Sequence, residues 1–464
     1  MTKLSRRYKF HKYIKMVDYL TTFKCSKLTT APHIKAFMEK IEPEREVHCV
    51  ECDADVVERV VSNYVIVKKI LSHLSWQEQL LCRMVCRCWR DAVNAQQRSC
   101  LDPIDFVLTE ENSHTLKYVK SAPIYTEPMA ILSFVLVSTL GLRAKCKHFS
   151  PSVCDPPCTE EHDVLDVIDH SINSPKNCML TIKTDHISYM PVTNSPTHVY
   201  TAKRDHVPRL RPYVGGLVIP RIQDVGYHVL NIKELSNVSN EFFDPVNKIM
   251  ETQYIKGILV FVTDKFFLHS IEDVSFLNHF KEIQTEVPYA LGGCIIEDTL
   301  SNRSDISALI DSVNDEKSFI SDNTISIAMF TVPKIRDADS IAKNNFEMYS
   351  LVVETCTSNF KLVTAVKEFA DRVPRFQHSV VLKLTCILLE GRHDIDQAVF
   401  RRFFPHTPLI GCYGNGELGL NHPTRTPKTP KRNPKRRKNS DYPTIMYSYA
   451  TVFVYFGWGK ILPK

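Results

Sequence analysis

The chain has 464 residues, of which 44% are hydrophobic and 24% charged, a globular composition that excludes a wholly disordered, collagen-like or membrane-spanning protein. Its net charge of +6 hides a segregation: residues 1–35 hold nine lysines and arginines against Asp18 alone, residues 423–440 hold eight and no acid, and the rest is left at −10. A body of that sign disfavours nucleic-acid binding, and localised basic signals are expected instead.

The fifteen cysteines are odd in number and scattered through apolar runs, and no secretory signal precedes them, so they read as reduced, intracellular thiols. The length suggests two to four domains. In chain order, residues 1–55 are a basic extension followed by an acidic linker. Residues 56–100 are helical: Ile66, Val67, Ile70, Leu71 and Leu74 recur at three- and four-residue steps on one face. Ser62 or Asn63 can cap that helix, and Ser75-Trp76-Gln77-Glu78 spells a capping box for the next, whose stripe continues through Leu80, Leu81, Met84, Val85 and Trp89. So small a unit buries little surface and is expected to need a partner for its apolar face.

From residue 104 onward the texture is mixed, and an α+β body is expected in two parts, 104–250 and 251–464. Strands are predicted at 124–125, 178–182, 214–219, 257–262, 324–330, 380–389, 408–413 and 448–456. Helices are predicted at 129–140, 163–172, 243–252, 274–286 and 359–372. The longest apolar run, 129–142, is about half of what crosses a bilayer and reads as buried core, so no membrane partner is expected. No repeat is evident at a period of 20 to 50 residues. Residues 421–443 carry five prolines among like charges and read as a disordered insertion.

Residues 62–90 resemble an F-box. Ile70, Leu71, Leu74, Leu80 and Val85-Cys86-Arg87-Cys88-Trp89-Arg90 match its spacing; its opening Leu-Pro falls on Ser62-Asn63, its middle Pro on Ser75 and its second junction Leu on Gln79. The resemblance implies that Ile66, Val67, Ile70, Leu71, Leu74, Leu80, Leu81, Val85 and Trp89 dock on the Skp adaptor of a cullin-RING ubiquitin ligase.

The carboxy-terminal half resembles the FIST domain of F-box and signal-transduction proteins. Phe400-Arg401-Arg402-Phe403-Phe404-Pro405, Pro408-Leu409-Ile410-Gly411, Gly414-Asn415-Gly416-Glu417-Leu418-Gly419 and Tyr447-Ser448-Tyr449-Ala450-Thr451 carry the likeness over roughly 250–464, with weaker parallels at Gly257-Ile258-Leu259-Val260-Phe261 and Leu291-Gly292-Gly293. It implies a receptor that holds an unknown protein substrate for ubiquitination and proteasomal degradation, in the nucleus and cytoplasm. The alternative is a small-molecule-sensing FIST protein without a ligase role. Gly414, Asn415, Gly416 and Glu417 are the candidate recognition residues, expected as a tight strand-ending turn with glycines at positive φ and Glu417 exposed at its lip.

The same glycines spell a dinucleotide fingerprint, but Leu420-Asn421-His422-Pro423 follows, and no helix start is available for a pyrophosphate. No cofactor is expected. His48, Cys49 and Cys52 have ligand spacing without a second pair, so no metal is expected either. Hydrolase, metalloprotease and P-loop motifs are absent, and the chain is read as non-catalytic. Lys431-Arg432 and Lys435-Arg436-Arg437-Lys438, spaced by prolines, have the form of a nuclear import signal.

Overall fold

The computed structural model describes residues 54–74, 76–112, 115–120, 130–142, 145, 179–184, 186–190, 212–263, 271–300, 324–334, 345–354, 359–424 and 445–463. It is a mixed α and β structure that divides into two compact units, Met1–Gln96 and Gln97–Lys464. In the first unit α1 (Ala54–Ser62), α2 (Tyr64–Leu71), α3 (Trp76–Cys82) and α4 (Arg87–Ser99) close around Val67, Leu71, Cys82, Trp89, Ala92 and Val93.

The second unit repeats one connectivity three times. The first repeat holds β1 (Ile104–Asn112), its hairpin partner β2 (Thr115–Lys120), β3 (Ala130–Val137), the one-turn α5 (Thr139–Leu142), β4 (Met179–Lys183), β5 (Ile187–Met190) and β6 (Pro212–Pro220). The second holds β7 (Gly226–Ile232), α6 (Asp244–Met250), β8 (Gln253–Thr263), α7 (His279–Ile283), β9 (Ala290–Ile296), β10 (Asp298–Leu300) and β11 (Ile325–Pro333). The third holds β12 (Asn345–Glu354), α8 (Asn359–Arg372), β13 (Arg375–Cys386), α9 (His393–Phe403), β14 (Leu409–Gly414), β15 (Glu417–Gly419), β16 (Met446–Tyr447) and β17 (Ala450–Leu462).

The sheets run β10-β4-β3-β6-β1-β2, β16-β15-β9-β8-β11-β7 and β12-β17-β13-β14-β5. Each therefore contains the order first, fourth, second, third strand of its repeat. The second and third are parallel, as in β3/β4, β8/β9 and β13/β14, and the other neighbours in that core are antiparallel. Each repeat also lends the short strand after its third strand to another sheet: β5 to the third, β10 to the first, β15 to the second. The exchange forms a closed cycle. One core collects side chains from all three sheets, Leu136, Leu180 and Ile182 with Leu259, Phe261 and Cys294 and with Leu384, Cys412 and Val452. A second core lies between the second sheet and α6 and α7, and a third between the last sheet and α8 and α9.

Local sequence explains most of these elements. Leu362, Ala365, Val366 and Phe369 give α8 one buried stripe at helical spacing. Residues 257–262 are apolar on both faces, and β8 is accordingly covered on both sides. The predicted helix at 129–140 is corrected: Ala130–Val137 is a strand between β4 and β6, because a continuous apolar run without helical period suits a central strand, and α5 begins only at Thr139. The strand predicted at 380–389 ends at Cys386, and Ile387–Arg392 is a 3-10 turn. The division at residue 250 falls inside the second repeat, between α6 and β8, and all three sheets combine strands from both sides of it. The elements predicted at 124–125 and 163–172 lie outside the described residues. Among the described residues no helix is long and apolar enough to cross a membrane.

Candidate functional site

Two places gather the residues singled out by sequence. In the helical unit, Asn63 caps α2, its Oδ1 accepting from the amides of Val65 at 3.0 Å and Ile66 at 3.2 Å. Gln79, standing where the F-box pattern has a leucine, is buried and donates through Nε2 to the carbonyls of Leu71 and Leu74, both at 3.1 Å, which finishes the end of α2. Trp89 donates from Nε1 to the Val61 carbonyl at 2.9 Å and ties α4 to α1. The stripe expected to form a single uncovered face is divided. Val67, Leu71 and Trp89 are fully buried inside the unit, and Ile70, Leu74 and Val85 pack against that interior. Leu81 is half-buried, and the side chain of Leu80 lies outside the described residues. Among the described residues of this unit, the large apolar side chains left in solvent are Tyr64 at 41% exposure, Val65 at 74%, Ile66 at 38% and Met84 at 47%.

The second place is the end of the third sheet where β13 and β14 finish. The Gly414-Asn415-Gly416 turn carries the chain from the third sheet to the second, with the Asn415 amide donating to the Ile295 carbonyl at 3.0 Å and the Ile295 amide to the Gly416 carbonyl at 2.9 Å. Two expectations are corrected here. Neither glycine takes a positive φ; what Gly414 supplies is space, since a Cβ there would stand 2.3 Å from the Ile295 carbonyl oxygen. Glu417 is not at a lip but fully buried as the first residue of β15, opposite Cys294. Its Oε2 accepts from the Ala450 amide at 2.9 Å, and its Oε1 makes no hydrogen bond. Burial pushes the carboxyl up to about 8, opposed in part by the Ala450 amide. Asn415 and Tyr449 are the exposed side chains beside it, Tyr449 at 52% and with a left-handed φ of 60°.

On the helix-covered face of the same sheet lies a polar cluster that sequence reading missed. Lys383 is fully buried, with Nζ 3.3 Å from Asp396 Oδ2 on α9 and 5.5 Å from the centre of the Tyr413 ring. Thr451 Oγ1 reaches the same Asp396 oxygen at 3.5 Å, and Gln397 Nε2 reaches Ser188 Oγ at 3.5 Å. Thr385 Oγ1 and Gln397 Oε1 are buried without a hydrogen-bond partner. The repeats supply an internal comparison. Register places Val135 and Val260 where Lys383 stands, Val137 and Val262 where Thr385 stands, and Val214 and Ile325 where Thr451 stands. Ile187 and Thr299 take the place of Glu417. The fold is thus built twice in the same molecule with mostly apolar residues at these positions, and among the described residues the charged cluster belongs to the third repeat. A lysine within an apolar run was the available signal.

No protein-family model matches the chain. No curated protein matches it either. Among the described residues no three histidines, cysteines or carboxylates are grouped to hold a metal ion; His48, Cys49 and Cys52 lie outside those residues. Residues 414–424 hold no helix, so the dinucleotide geometry is not formed there. Lys431, Arg432, Lys435, Arg436, Arg437 and Lys438 also lie outside the described residues, but the chain entering that segment is held. Ser350 and His422 exchange backbone hydrogen bonds at 2.9 Å, His422 stacks on Tyr349, and Arg372 Nη1 donates to the Thr424 carbonyl at 2.7 Å. Burial lowers the His422 imidazole to about 4, with Lys256 adding to the effect.

Proposed function

We propose that the chain is a non-catalytic substrate-recognition subunit of a Skp-cullin-F-box ubiquitin ligase. In this reading the helical unit binds the Skp adaptor, the body holds a target protein, and the recruited conjugating enzyme supplies the chemistry. Holding the target's lysine beside the charged thioester raises its effective concentration, so the receptor needs affinity and geometry but no acid, base or nucleophile of its own. The observation that supports the docking role is the apolar first turn of α2: Tyr64, Val65 and Ile66 stay in solvent on a unit whose interior is already closed by six buried side chains. Val67, Leu71 and Trp89 then act by shaping this surface. On the body, the side chains offered to a target are Asn415 and Tyr449, over the buried Glu417.

Because Val65 and Ile66 contribute to contact and not to the interior, the double variant Val65→Asp, Ile66→Asp keeps the fold. It is expected to lose co-purifying Skp adaptor while its thermal unfolding stays within about a degree of the wild type, since surface substitutions change stability by only a few tenths of a kcal/mol. Undiminished adaptor on that variant overturns the assignment. The second reading, small-ligand sensing by the body, draws on the buried Lys383–Asp396 pair and the unbonded Oε1 of Glu417.

A further inference from the structure

We propose that Cys294 and Cys412 form a reversible disulfide, a redox modification site that joins the sheet of the second repeat to that of the third. The two sulfurs stand 3.7 Å apart, both side chains are fully buried, and the residues are 118 positions apart in sequence. They occupy the same register position in the third strands of their repeats, β9 and β14, where the first repeat has Ile182. Both project into the core that the three sheets share. The exchange of short strands brings these positions face to face. Bond formation requires the sulfurs to come about 1.7 Å closer than 3.7 Å, to the 2.0 Å of a disulfide. Gly414 packs directly against Cys294, since a Cβ built there would stand 3.1 Å from the Cys294 Cβ.

The reaction with a diazene oxidant is balanced as follows. One sulfur adds to the N=N bond, the second sulfur displaces nitrogen from the first, two S–H bonds are lost and one S–S bond forms. The two electrons and two protons leave on the resulting hydrazine. Hydrogen peroxide accepts the same pair and leaves as two waters. A thiol reductant reverses the bond by exchange. The cross-link lies beneath the Gly414-Asn415-Gly416 turn, whose Asn415 amide and Gly416 carbonyl already bond to Ile295, the residue after Cys294. Oxidation therefore fixes the passage of the chain between the two sheets. This inference stands whether or not the chain serves a ligase.

The test incubates the full chain with diamide until its non-reducing peptide map stops changing, with exposed Cys86 as the internal sign that oxidant was sufficient. The expected result is a linked pair of peptides containing Cys294 and Cys412, about 2 Da lighter than their sum, which dithiothreitol separates. The oxidised chain is expected to melt at a higher temperature than the reduced one, because the link closes a long loop. That rise is expected to be absent in Cys294→Ser and, should that variant fold poorly, in Cys412→Ala. Recovery of both cysteines as free thiols after Cys86 is consumed overturns the proposal, as does Cys294 or Cys412 linked to any other cysteine.

Discussion

Glu417 is a carboxyl in a position that the same molecule fills elsewhere with Ile187 and Thr299, so its acidity is not a requirement of the fold. Its elevated titration links it to stability with a definite sign. An unfolded glutamate loses its proton near 4.5, whereas the folded one keeps it to about 8. The native state then binds more protons between those values, and stability falls as pH rises through that window. His422 contributes the opposite slope between about 4 and its ordinary 6.5, because the folded imidazole resists protonation. Of these two groups, only Glu417 acts from about pH 6.5 to 8. Glu417→Gln keeps an oxygen for the Ala450 amide and removes the titration, so denaturant melts are expected to show the variant gaining on the wild type by about 1–2 kcal/mol across that interval. Parallel curves for the two proteins contradict an elevated Glu417. The sequence pointed to this residue through its glycines, but it misjudged their use: they admit close backbone approach rather than a left-handed bend, and close approach is what buries the side chain between them.

At the scale of elements, periodicity was a good guide wherever one face alone is covered. The stripe Leu362, Ala365, Val366, Phe369 marks α8 from end to end. Periodicity says which side of a helix avoids water, not what covers it: within the stripe from Ile66 to Trp89, Val67, Leu71 and Trp89 cover each other. It also misleads in a continuous apolar run, as in β3. The contact between α9 and β13 is held in part by charge. Lys383→Met leaves Asp396 without its cation in a buried place, which is expected to cost about 3–5 kcal/mol in urea unfolding. Adding Asp396→Leu is expected to recover most of that loss, since the equivalent strand positions in the other repeats carry valine. A double variant no more stable than the single one argues that the pair is not coupled.

Across the whole molecule, the sequence announced a mixed α and β body and most of its strands, but not the threefold recurrence. The repeats begin at Ile104, Gly226 and Asn345, and their shared positions agree in register while differing in residue, as in Val135, Val260 and Lys383. Apolar side chains are interchangeable in such places, so a common architecture leaves little trace in letters. The charge segregation was legible at once. Its strongest positive run follows a stretch pinned to β12 through Ser350 and His422. A fluorescent fusion of the full chain is expected to lose nuclear enrichment when Lys435, Arg436, Arg437 and Lys438 are all changed to alanine. An unaltered nuclear-to-cytoplasmic ratio excludes those four as the import signal.

The placement of β17 bears on how such a chain is born. This strand lies between β12 and β13, yet it is the last of the three to be synthesised. On the ribosome both neighbours must wait with raw edges, and β5, made far earlier, has no finished sheet to join until β14 arrives. Premature termination anywhere before Ala450 would therefore release a nascent product with sticky strands on display, the kind of species that chaperones retain and proteases clear.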